Sequence, residues 1–267
     1  FHLAARHGGR GFIDRHPVAC ASNAALDAAG DDGAARAGAA TVAFASSACA
    51  YPVELDPAAP WHPLQEDEAG FERPGAAFAD GAYGWAKLYG ELQLQAHVAE
   101  GHFRGVACRL FNAYGERENE THAVVALVLR ALARQDPYLI WGDGRQQRAF
   151  THVTDTVRGL ALAATATPDE ARMGTFNVGT STATSVDDLA QLIFDLEGWC
   201  PNRIVHDTTK PVGSHTRVAD HTRLAGATGW RPLVDLRTGI ARTIDDCRHR
   251  LDRGELRAES EPLAADR

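Results

Sequence analysis

The sequence contains few of the features that would indicate a disulfide-stabilised, zinc-binding or membrane-spanning protein. Its five cysteines are odd in number, widely spaced and never arranged as Cys-x-x-Cys, which argues against both a disulfide framework and a zinc site. No apolar run approaches the roughly 20 residues of a membrane-spanning helix, and the first residues lack the apolar stretch of a signal peptide. We therefore expect a cytoplasmic protein that binds no metal and no membrane.

Basic residues are also scarce. The 27 lysines and arginines are outnumbered by 35 acidic residues, which gives a net charge of −8. Such a chain has no general attraction for nucleic acid, so an anionic ligand must be held by a local group of arginines. Lysine occurs only at Lys87 and Lys210. Each of these two lysines is therefore informative.

The apolar pattern up to Asn112 predicts two strand–helix–strand units, which favour a parallel sheet. Hydrophobic residues make up 45% of the chain, enough for one large core or two modest ones. The predicted elements are a strand end in "FHLAA" (1–5), a glycine-rich turn, a helix over 17–38, the buried strand "TVAFASS" (41–47), a loop rich in Pro, Asp and Glu (52–81), a helix over 83–100 and the strand "GVACRLF" (105–111).

Beyond Asn112 the pattern is more mixed and predicts a smaller α/β domain. The predicted elements are a helix around 124–132, strands at "YLIWG" and "AFTHV", a helix from Thr154, the strand "GTFNVG", a helix opened by Ser185 and a last helix over 236–251. Asp188 occupies the capping-box position relative to Ser185. The tail from Arg253 is charged and poor in apolar residues, so we expect it to be frayed.

The segment "YGWAK" places Tyr83 and Lys87 four residues apart on a predicted helix, so both side chains point to one face. A lysine ammonium there would lower the pKa of the phenol and could hold a ribose hydroxyl, which would make the tyrosine an acid or base near neutral pH. The alternative is an ordinary surface pair.

A serine pair after a buried strand, followed by Tyr-x-x-x-Lys, resembles the extended short-chain dehydrogenase/reductase family, the NAD-dependent epimerases and dehydratases of nucleotide sugars. The resemblance extends over nearly the whole chain. It implies that Ser47, Tyr83 and Lys87 are the catalytic triad and that the cofactor is NAD, with NADP as the alternative. The cofactor-binding residues that it implies are Leu3, Ala4, Ala5, Asn23, Ser46, Tyr83 and Lys87.

The same resemblance implies the domain organisation. It predicts an α/β fold with a Rossmann-type, doubly wound parallel sheet in a partial NAD(P)-binding domain over residues 1–112, with segments near 140–180 interleaved into it. A smaller nucleotide-sugar-binding domain occupies mainly residues 113–252, and 253–267 form the frayed tail. It also implies a homodimer formed through the helices that include the Tyr83 helix.

A dinucleotide-binding domain should begin with a strand, a G-x-x-G-x-x-G turn and a helix, and this chain contains no such turn. The early glycines Gly8, Gly9 and Gly11 follow a different strand. The resemblance implies that the first three strands, roughly 60 residues, are absent. The chain is then either a fragment of a longer enzyme, which we favour, or a naturally shortened protein that cannot hold the cofactor normally.

Within the family, "HGGRGFI", "SSACAYP" and "WGDGRQQRAFTHV" resemble the GDP-mannose 3,5-epimerases, and "SSACAYP" also resembles the GDP-fucose synthases. The resemblance implies that Cys49 and His122 exchange protons at C3 and C5 of the sugar, since a thiol can donate a proton near neutral pH. His122 matches the fucose synthases, whereas the typical GDP-mannose 3,5-epimerase has a lysine there. The alternatives are an inert buried thiol at Cys49 and a solvent-facing histidine at the start of a helix.

Arginines can bind a diphosphate through bidentate hydrogen bonds, although most arginines in such a chain are solvated surface groups. The substrate-binding residues that the resemblance implies are Gly8, Gly9, Ser47, Asn112, Trp141, Arg148 and Arg217.

We expect a GDP-mannose 3,5-epimerase-like enzyme that uses transient C4 oxidation. The alternatives are a 3,5-epimerase/4-reductase acting on a GDP-4-keto-6-deoxy sugar, another nucleotide-sugar epimerase or dehydratase, and a non-catalytic protein that retains only the sugar-nucleotide pocket.

Overall fold

The structure is a computed structural model, and it describes residues 1–53, 61–72, 75–166 and 172–257. Part of the loop predicted over 52–81 and most of the predicted frayed tail lie outside these residues. The helices are α1 (Arg10–Arg15), α2 (Pro17–Ala21), α3 (Asn23–Arg36), α4 (Gly81–Ala99), α5 (Ala123–Leu132), α6 (Val153–Ala166), α7 (Val186–Glu197), α8 (Thr222–Thr228) and α9 (Leu236–Asp252). Among the described residues, no helix has the length and apolarity that crossing a membrane requires.

The strands form one parallel sheet and several short pairs. They are β1 (Thr41–Ser47), β2 (Arg104–Leu110), β3 (Ala113–Tyr114), β4 (Tyr138–Trp141), β5 (Gln147–Arg148), β6 (Thr151–His152), β7 (Met173–Val178), β8 (Thr184–Ser185), β9 (Ile204–Asp207) and β10 (Thr216–Arg217). The main sheet has the order β1-β2-β7 and is parallel throughout, so the predicted parallel sheet is confirmed. The "FHLAA" segment runs beside β1 and forms a parallel bridge between His2 and Phe44.

Both faces of the sheet are covered by helices, because successive side chains of a strand point to opposite faces. On one face Phe44 of β1 packs with Leu94 of α4, in a core that residues of α3 extend. On the other face Val106 of β2 packs with Leu160 of α6 and Trp230, which follows α8. The doubly wound Rossmann-type architecture is therefore confirmed.

Two predicted segments differ from the structure near the N-terminus. The helix expected over 17–38 is divided at Ser22 into α2 and α3. The turn expected around "GGRGF" contains the short helix α1, which begins directly after Gly9. In addition, α3 buries the carboxylates of Asp27 and Asp31, which the sequence analysis did not predict.

A second core lies between α5, α7 and α9, with Tyr138 and Ile140 of β4 packed against them. The helix α7 begins as predicted: the Ser185 hydroxyl accepts a hydrogen bond from the Asp188 backbone N–H at 3.0 Å. Between the two cores the chain returns to the main sheet through α6 and β7. Residues outside the main sheet contact the segments that follow β1 and β2: Arg217 donates to the Pro52 carbonyl, and the Thr151 N–H donates to the Asn112 carbonyl.

Candidate active site

The end of β1 brings together Ser47, Cys49 and Tyr83. Ser47 is the last residue of β1, and its hydroxyl accepts a hydrogen bond from the Cys49 N–H at 3.1 Å. The Cys49 carbonyl in turn accepts from the Asp80 N–H at 3.0 Å, just before α4 begins. A Cβ on Gly84 would lie 2.1 Å from that carbonyl oxygen, so a glycine is needed for α4 to approach so closely.

Burial raises the pKa of the Tyr83 phenol, and the negative charges that Cys49 and Asp27 can carry raise it further, while a hydrogen bond with Ser47 acts in the opposite direction. The net change is opposite to the one that we predicted from Lys87. In the absence of ligands Tyr83 is therefore a protonated hydrogen-bond donor at neutral pH.

Lys87 lies one helical turn further along α4 and is almost completely buried, with 2% of its side chain exposed. Its ammonium lies 3.8 Å from the Asp27 carboxylate and 4.6 Å from the centre of the Phe44 ring. Burial lowers the pKa of Lys87, and it outweighs the negative charge of Asp27, which raises the pKa. Lys87 is thus part of a buried charge pair and is not a surface residue.

The Cys49 thiol lies between groups of opposite charge. Burial and the carboxylate of Asp80 raise its pKa, and they outweigh the hydrogen bond with Ser47 and the positive charges of Arg217 and Arg10. Cys49 is therefore a protonated thiol at neutral pH. This protonation state suits a proton donor more than a base.

His122 directly precedes α5, and its ring is held by a carboxylate. The Nδ1 atom lies 3.0 Å from Oε1 of Glu118. Because a carboxylate only accepts, this contact places a hydrogen on Nδ1 and leaves Nε2 available for proton exchange. His122 is consequently an oriented histidine and not a freely solvated residue at the start of a helix.

His7 is a titratable neighbour that the sequence analysis did not identify. Its ring centre lies 5.7 Å from that of His122. Burial lowers the pKa of His7, and so do the positive charges that His122 and Lys87 can carry, so the His7 imidazole is neutral at pH 7. Its position immediately before two glycines was the sequence feature that could have indicated a role in this site.

A turn formed by Gly8, Gly9 and Arg10 separates two sides of the site. The cysteine side contains Cys49, and the histidine side contains His122. The Gly9 N–H donates to the Thr121 hydroxyl at 3.1 Å, and a Cβ on Gly9 would lie 1.9 Å from the Thr121 carbonyl oxygen. Arg10 lies 2.8 Å from the carboxylate of Asp80. Gly9 is therefore required for packing within the chain, independently of any sugar.

Next to this turn lies an open cavity of about 600 Å³, lined by Arg10, Asp80, Gln146, Lys210 and His215 among others. Trp141 lies close by. The centre of its ring is 5.8 Å from the Lys210 ammonium, and a Cβ added at Gly11 would lie 3.3 Å from the ring. Within the described part of the chain, the buried indole N–H of Trp141 has no hydrogen-bond partner.

The two arginines predicted for substrate binding lie opposite each other, since Arg148 of β5 and Arg217 of β10 are paired in parallel register. Arg148 donates to the backbone carbonyls of Gln147, Val212 and His215, so it holds the loop that lines the cavity. Arg217 is buried and donates through Nη1 to the Pro52 carbonyl. Its Nη2 has no hydrogen-bond partner among the described residues, and Arg217 is thus better placed than Arg148 to bind an anion.

Asn112 has a positive φ of 29° and is exposed at the carboxyl end of β2. Asparagine tolerates this region better than most residues, and such positions often occur at binding sites. The side chain of Asn23 forms two hydrogen bonds with the backbone of Arg6, at 2.7 and 2.9 Å. Asn23 therefore fixes the segment that contains Leu3, Ala4 and Ala5.

Ser46 was predicted among the cofactor-binding residues, but its side chain points away from Ser47. Adjacent residues of a strand face opposite sides, and the buried Ser46 hydroxyl donates to Glu91. Glu91 also forms a bidentate pair with Arg109, at 2.9 and 2.7 Å. The Ser46 side chain is part of this buried network, which the sequence analysis did not predict.

Together, the parallel sheet and the Ser47, Tyr83 and Lys87 arrangement define an α/β protein of the short-chain dehydrogenase/reductase type. Residues 1–179 match the family described as the NAD dependent epimerase/dehydratase family. The chain belongs to this family.

Curated relatives include enzymes of both groups that the sequence resembles. The chain is 29% identical over 248 residues to GDP-mannose 3,5-epimerase 1 of Oryza sativa subsp. japonica, covering 90% of this chain and 62% of that protein. It is 30% identical over 172 residues to putative GDP-L-fucose synthase 2 of Arabidopsis thaliana, covering 61% of this chain and 51% of the relative. The chain thus spans between half and two thirds of the length of these relatives.

Solved structures share the fold. UDP-glucose 4-epimerase of Thermotoga maritima superposes with a TM-score of 0.81 at 24% identity, covering 94% of this chain and 77% of that one. MoeE5, solved with UDP-glucose and NAD, superposes with a TM-score of 0.77 at 28% identity, covering 94% of this chain and 79% of that one.

Proposed function

We propose that this protein is a nucleotide-sugar epimerase of the GDP-mannose 3,5-epimerase type, which oxidises C4 of the sugar transiently and exchanges protons at C3 and C5. The observation that supports this proposal most directly is the Cys49 thiol, held beside Ser47 and protonated at neutral pH. An enzyme that only oxidises and reduces C4 has no need of such a group next to its catalytic serine.

The residues present fit the nicotinamide half of NAD. Tyr83 and Lys87 lie on one face of α4, and the neighbouring segment exposes Ala4 and 58% of Leu3, which provides an apolar surface for a planar ring. When bound, NAD supplies a reversible two-electron oxidation of C4. Asn23 fixes the segment that would contact the cofactor.

In the proposed mechanism Ser47 and Tyr83 hold the C4 oxygen. With the positive charge that bound NAD would add to the site, the Tyr83 phenol would be ionised. It would then accept the C4 hydroxyl proton when C4 is oxidised and return it when C4 is reduced. Hydrogen bonds from Ser47 and Tyr83 stabilise the negative charge that develops on the C4 oxygen when C3 or C5 next to the ketone loses a proton. Inversion then needs a base on one face of the sugar and a donor on the other. We assign the donor to Cys49, because its pKa is raised, and the base to His122, because Glu118 leaves its Nε2 available.

The diphosphate of the substrate is assigned to Arg217. Its buried Nη2 lacks a partner in the described part of the chain and could donate to a phosphate oxygen. Trp141 has an equally unpaired indole N–H at the edge of the cavity. Arg148 contributes by holding the loop of residues 212–215.

The test is solvent exchange. The full-length protein is incubated with GDP-mannose in D₂O without added reductant, and deuterium at C3 and C5 is measured by NMR. We expect deuterium at one or both carbons in the wild type and in Cys200→Ser, a control at an exposed cysteine. Absence of exchange in the wild type would overturn the proposal.

A second candidate, favoured by the histidine at position 122, is a 3,5-epimerase/4-reductase that acts on a GDP-4-keto-6-deoxy sugar. It predicts stoichiometric NADPH consumption with that substrate and no exchange with GDP-mannose. A non-catalytic sugar-nucleotide-binding protein predicts instead that no dinucleotide binds and that Tyr83→Phe changes no turnover.

We also propose a cytoplasmic homodimer, in line with the family resemblance. Its interface would include α4, on which Trp85 and Tyr89 expose 43% and 47% of their surface on one face. Leu26 of α3 is also exposed. Large exposed apolar residues grouped in this way are typical of protein interfaces.

A further inference from the structure

The helix α3 buries two carboxylates, Asp27 and Asp31, one turn apart. Neither belongs to the residues assigned above to proton transfer or to substrate binding. Burying a carboxylate costs several kcal/mol unless a charged or hydrogen-bonding partner compensates. The partners of each carboxylate therefore indicate what it does.

Asp27 is completely buried, and its Oδ1 atom lies 2.8 Å from Nε2 of His2 and 3.8 Å from Nζ of Lys87. Its Oδ2 has no hydrogen-bond partner among the described residues. A Cβ on Gly90 of α4 would lie 2.8 Å from this Oδ2 atom, so the glycine leaves room for the carboxylate between the helices. The packing of α3 on α4 thus fits the Asp27 side chain closely.

The groups that face Lys87 come from several elements. Asp27 of α3 and Glu91 of α4 favour its protonated form. His7, in the turn before α1, is close enough for the Lys87 charge to lower its pKa. Phe44 of β1 lies beneath the ammonium. Glu91 is already bound to Arg109, so Asp27 supplies the carboxylate at ion-pair distance.

We propose that Asp27 is a positioning residue that fixes the Lys87 ammonium one helical turn from Tyr83 and keeps it protonated, with His2 holding the carboxylate in place. An opposite charge within about 4–6 Å favours the charged form of a buried group. The role in the reaction rests on the proposed function of Lys87, but the effect on the charge of Lys87 does not.

Asp31 provides a matched control. It is buried on the same helix, and burial raises its pKa to about 6. Its Oδ1 has no hydrogen-bond partner in the described part of the chain, and Asp31 makes no contribution to the pKa of Lys87. Asp31 interacts electrostatically with His2 and Asp27, so Asp31→Asn tests whether the loss of any buried carboxylate on α3 shifts the Lys87 titration while the 3.8 Å contact between Asp27 and Lys87 stays in place.

The chain has only two lysines, so protein labelled with ¹³Cε-lysine gives two lysine Cε signals, and Lys210→Arg identifies that of Lys87. We expect Asp27→Asn to move the Lys87 titration to lower pH and Asp31→Asn to leave it unchanged. An unchanged Lys87 titration in folded Asp27→Asn would overturn the proposal, whether or not the protein is an epimerase.

Stability provides the second measurement, should Asp27→Asn fold poorly. Lys87→Met leaves Asp27 buried without its cation, so it should lower the free energy of unfolding. If the two residues form the proposed pair, adding Asp27→Asn to Lys87→Met recovers part of that loss in urea unfolding. A double variant less stable than Lys87→Met alone would contradict the pairing.

Activity provides a readout that a purely structural role would not change. We expect the alkaline limb of the pH profile of kcat/KM to move to lower pH in Asp27→Asn, with a loss of about tenfold above pH 8, and Asp27→Glu to recover the wild-type profile. A uniform loss at every pH would instead indicate general damage to the fold and overturn the positioning role.

Discussion

The close contact between Gly9 and Thr121 determines how far Gly9→Ala must move the neighbouring backbone. A Cβ added at Gly9 would lie 1.9 Å from the Thr121 carbonyl oxygen, and real Cβ atoms essentially never come closer than 3.0 Å to a neighbour. The difference, 3.0 minus 1.9 or about 1.1 Å, is the minimum movement that Gly9→Ala imposes. Because the neighbouring atom is backbone, a side-chain rotation cannot absorb it.

This movement acts on the catalytic geometry, since Thr121 directly precedes His122 and α5. The turn that contains Gly9 and Arg10 must separate from the start of α5, and His122 moves away from the cysteine side of the site. A misplacement of about 1 Å can cost about 100-fold in rate. We therefore expect Gly9→Ala to lower the rate of sugar C–H exchange about 100-fold.

The assay compares deuterium exchange in Gly9→Ala and Gly226→Ala. A Cβ on Gly226, in α8, meets nothing within 4 Å, so this control should keep wild-type exchange and gain up to about 1 kcal/mol in stability. A Gly9→Ala variant that is folded and exchanges at the wild-type rate would refute the placement of His122 in the site.

Three further predictions concern the orientation of His122, the buried Glu91–Arg109 pair and the proposed dimer interface. Glu118→Gln removes the charge that orients His122, so exchange should fall about 100-fold, and an unchanged rate would contradict the orientation. Glu91→Gln leaves the buried Arg109 without its carboxylate, so urea unfolding should show a loss of about 3 to 5 kcal/mol; a loss below about 1 kcal/mol would argue against this pair. Trp85→Glu should give a monomer in light scattering, and an unchanged dimer would exclude this face of α4.

The elements of the sheet, and the placement of Tyr83 and Lys87 on one face of a helix, could be predicted from the sequence because each rests on local pattern. The run "TVAFASS" contains apolar and small residues throughout, as a strand covered on both faces requires. The four-residue spacing in "YGWAK" fixes one face of a helix regardless of the rest of the chain. Such features depend on a few neighbouring residues.

The charge state of the site could not be predicted in this way, because burial depends on how distant segments pack. Asp27 and Asp31 belong to a helix whose acidic residues would ordinarily face water, and only its packing against α4 buries them. The pKa of Tyr83 rises mainly because the phenol is buried, in a site where Cys49 and Asp27 come from distant segments. The hydrogen bond from Arg148 to the carbonyl of His215 likewise follows from the pairing of β5 with β10, two segments that are far apart in the sequence.

The central claim is that Cys49 donates a proton to the sugar, and the most direct test measures deuterium at C3 and C5 of GDP-mannose in D₂O with Cys49→Ser. A serine hydroxyl retains the size and hydrogen bonding of the thiol but is far less acidic. We predict that the deuterium-labelled epimer no longer forms in Cys49→Ser and still forms in Cys200→Ser, because inversion needs the donor whereas His122 can return a deuteron to the same face of the sugar. Formation of the labelled epimer at the wild-type rate in Cys49→Ser would show that Cys49 is an inert thiol and would contradict the proposed mechanism.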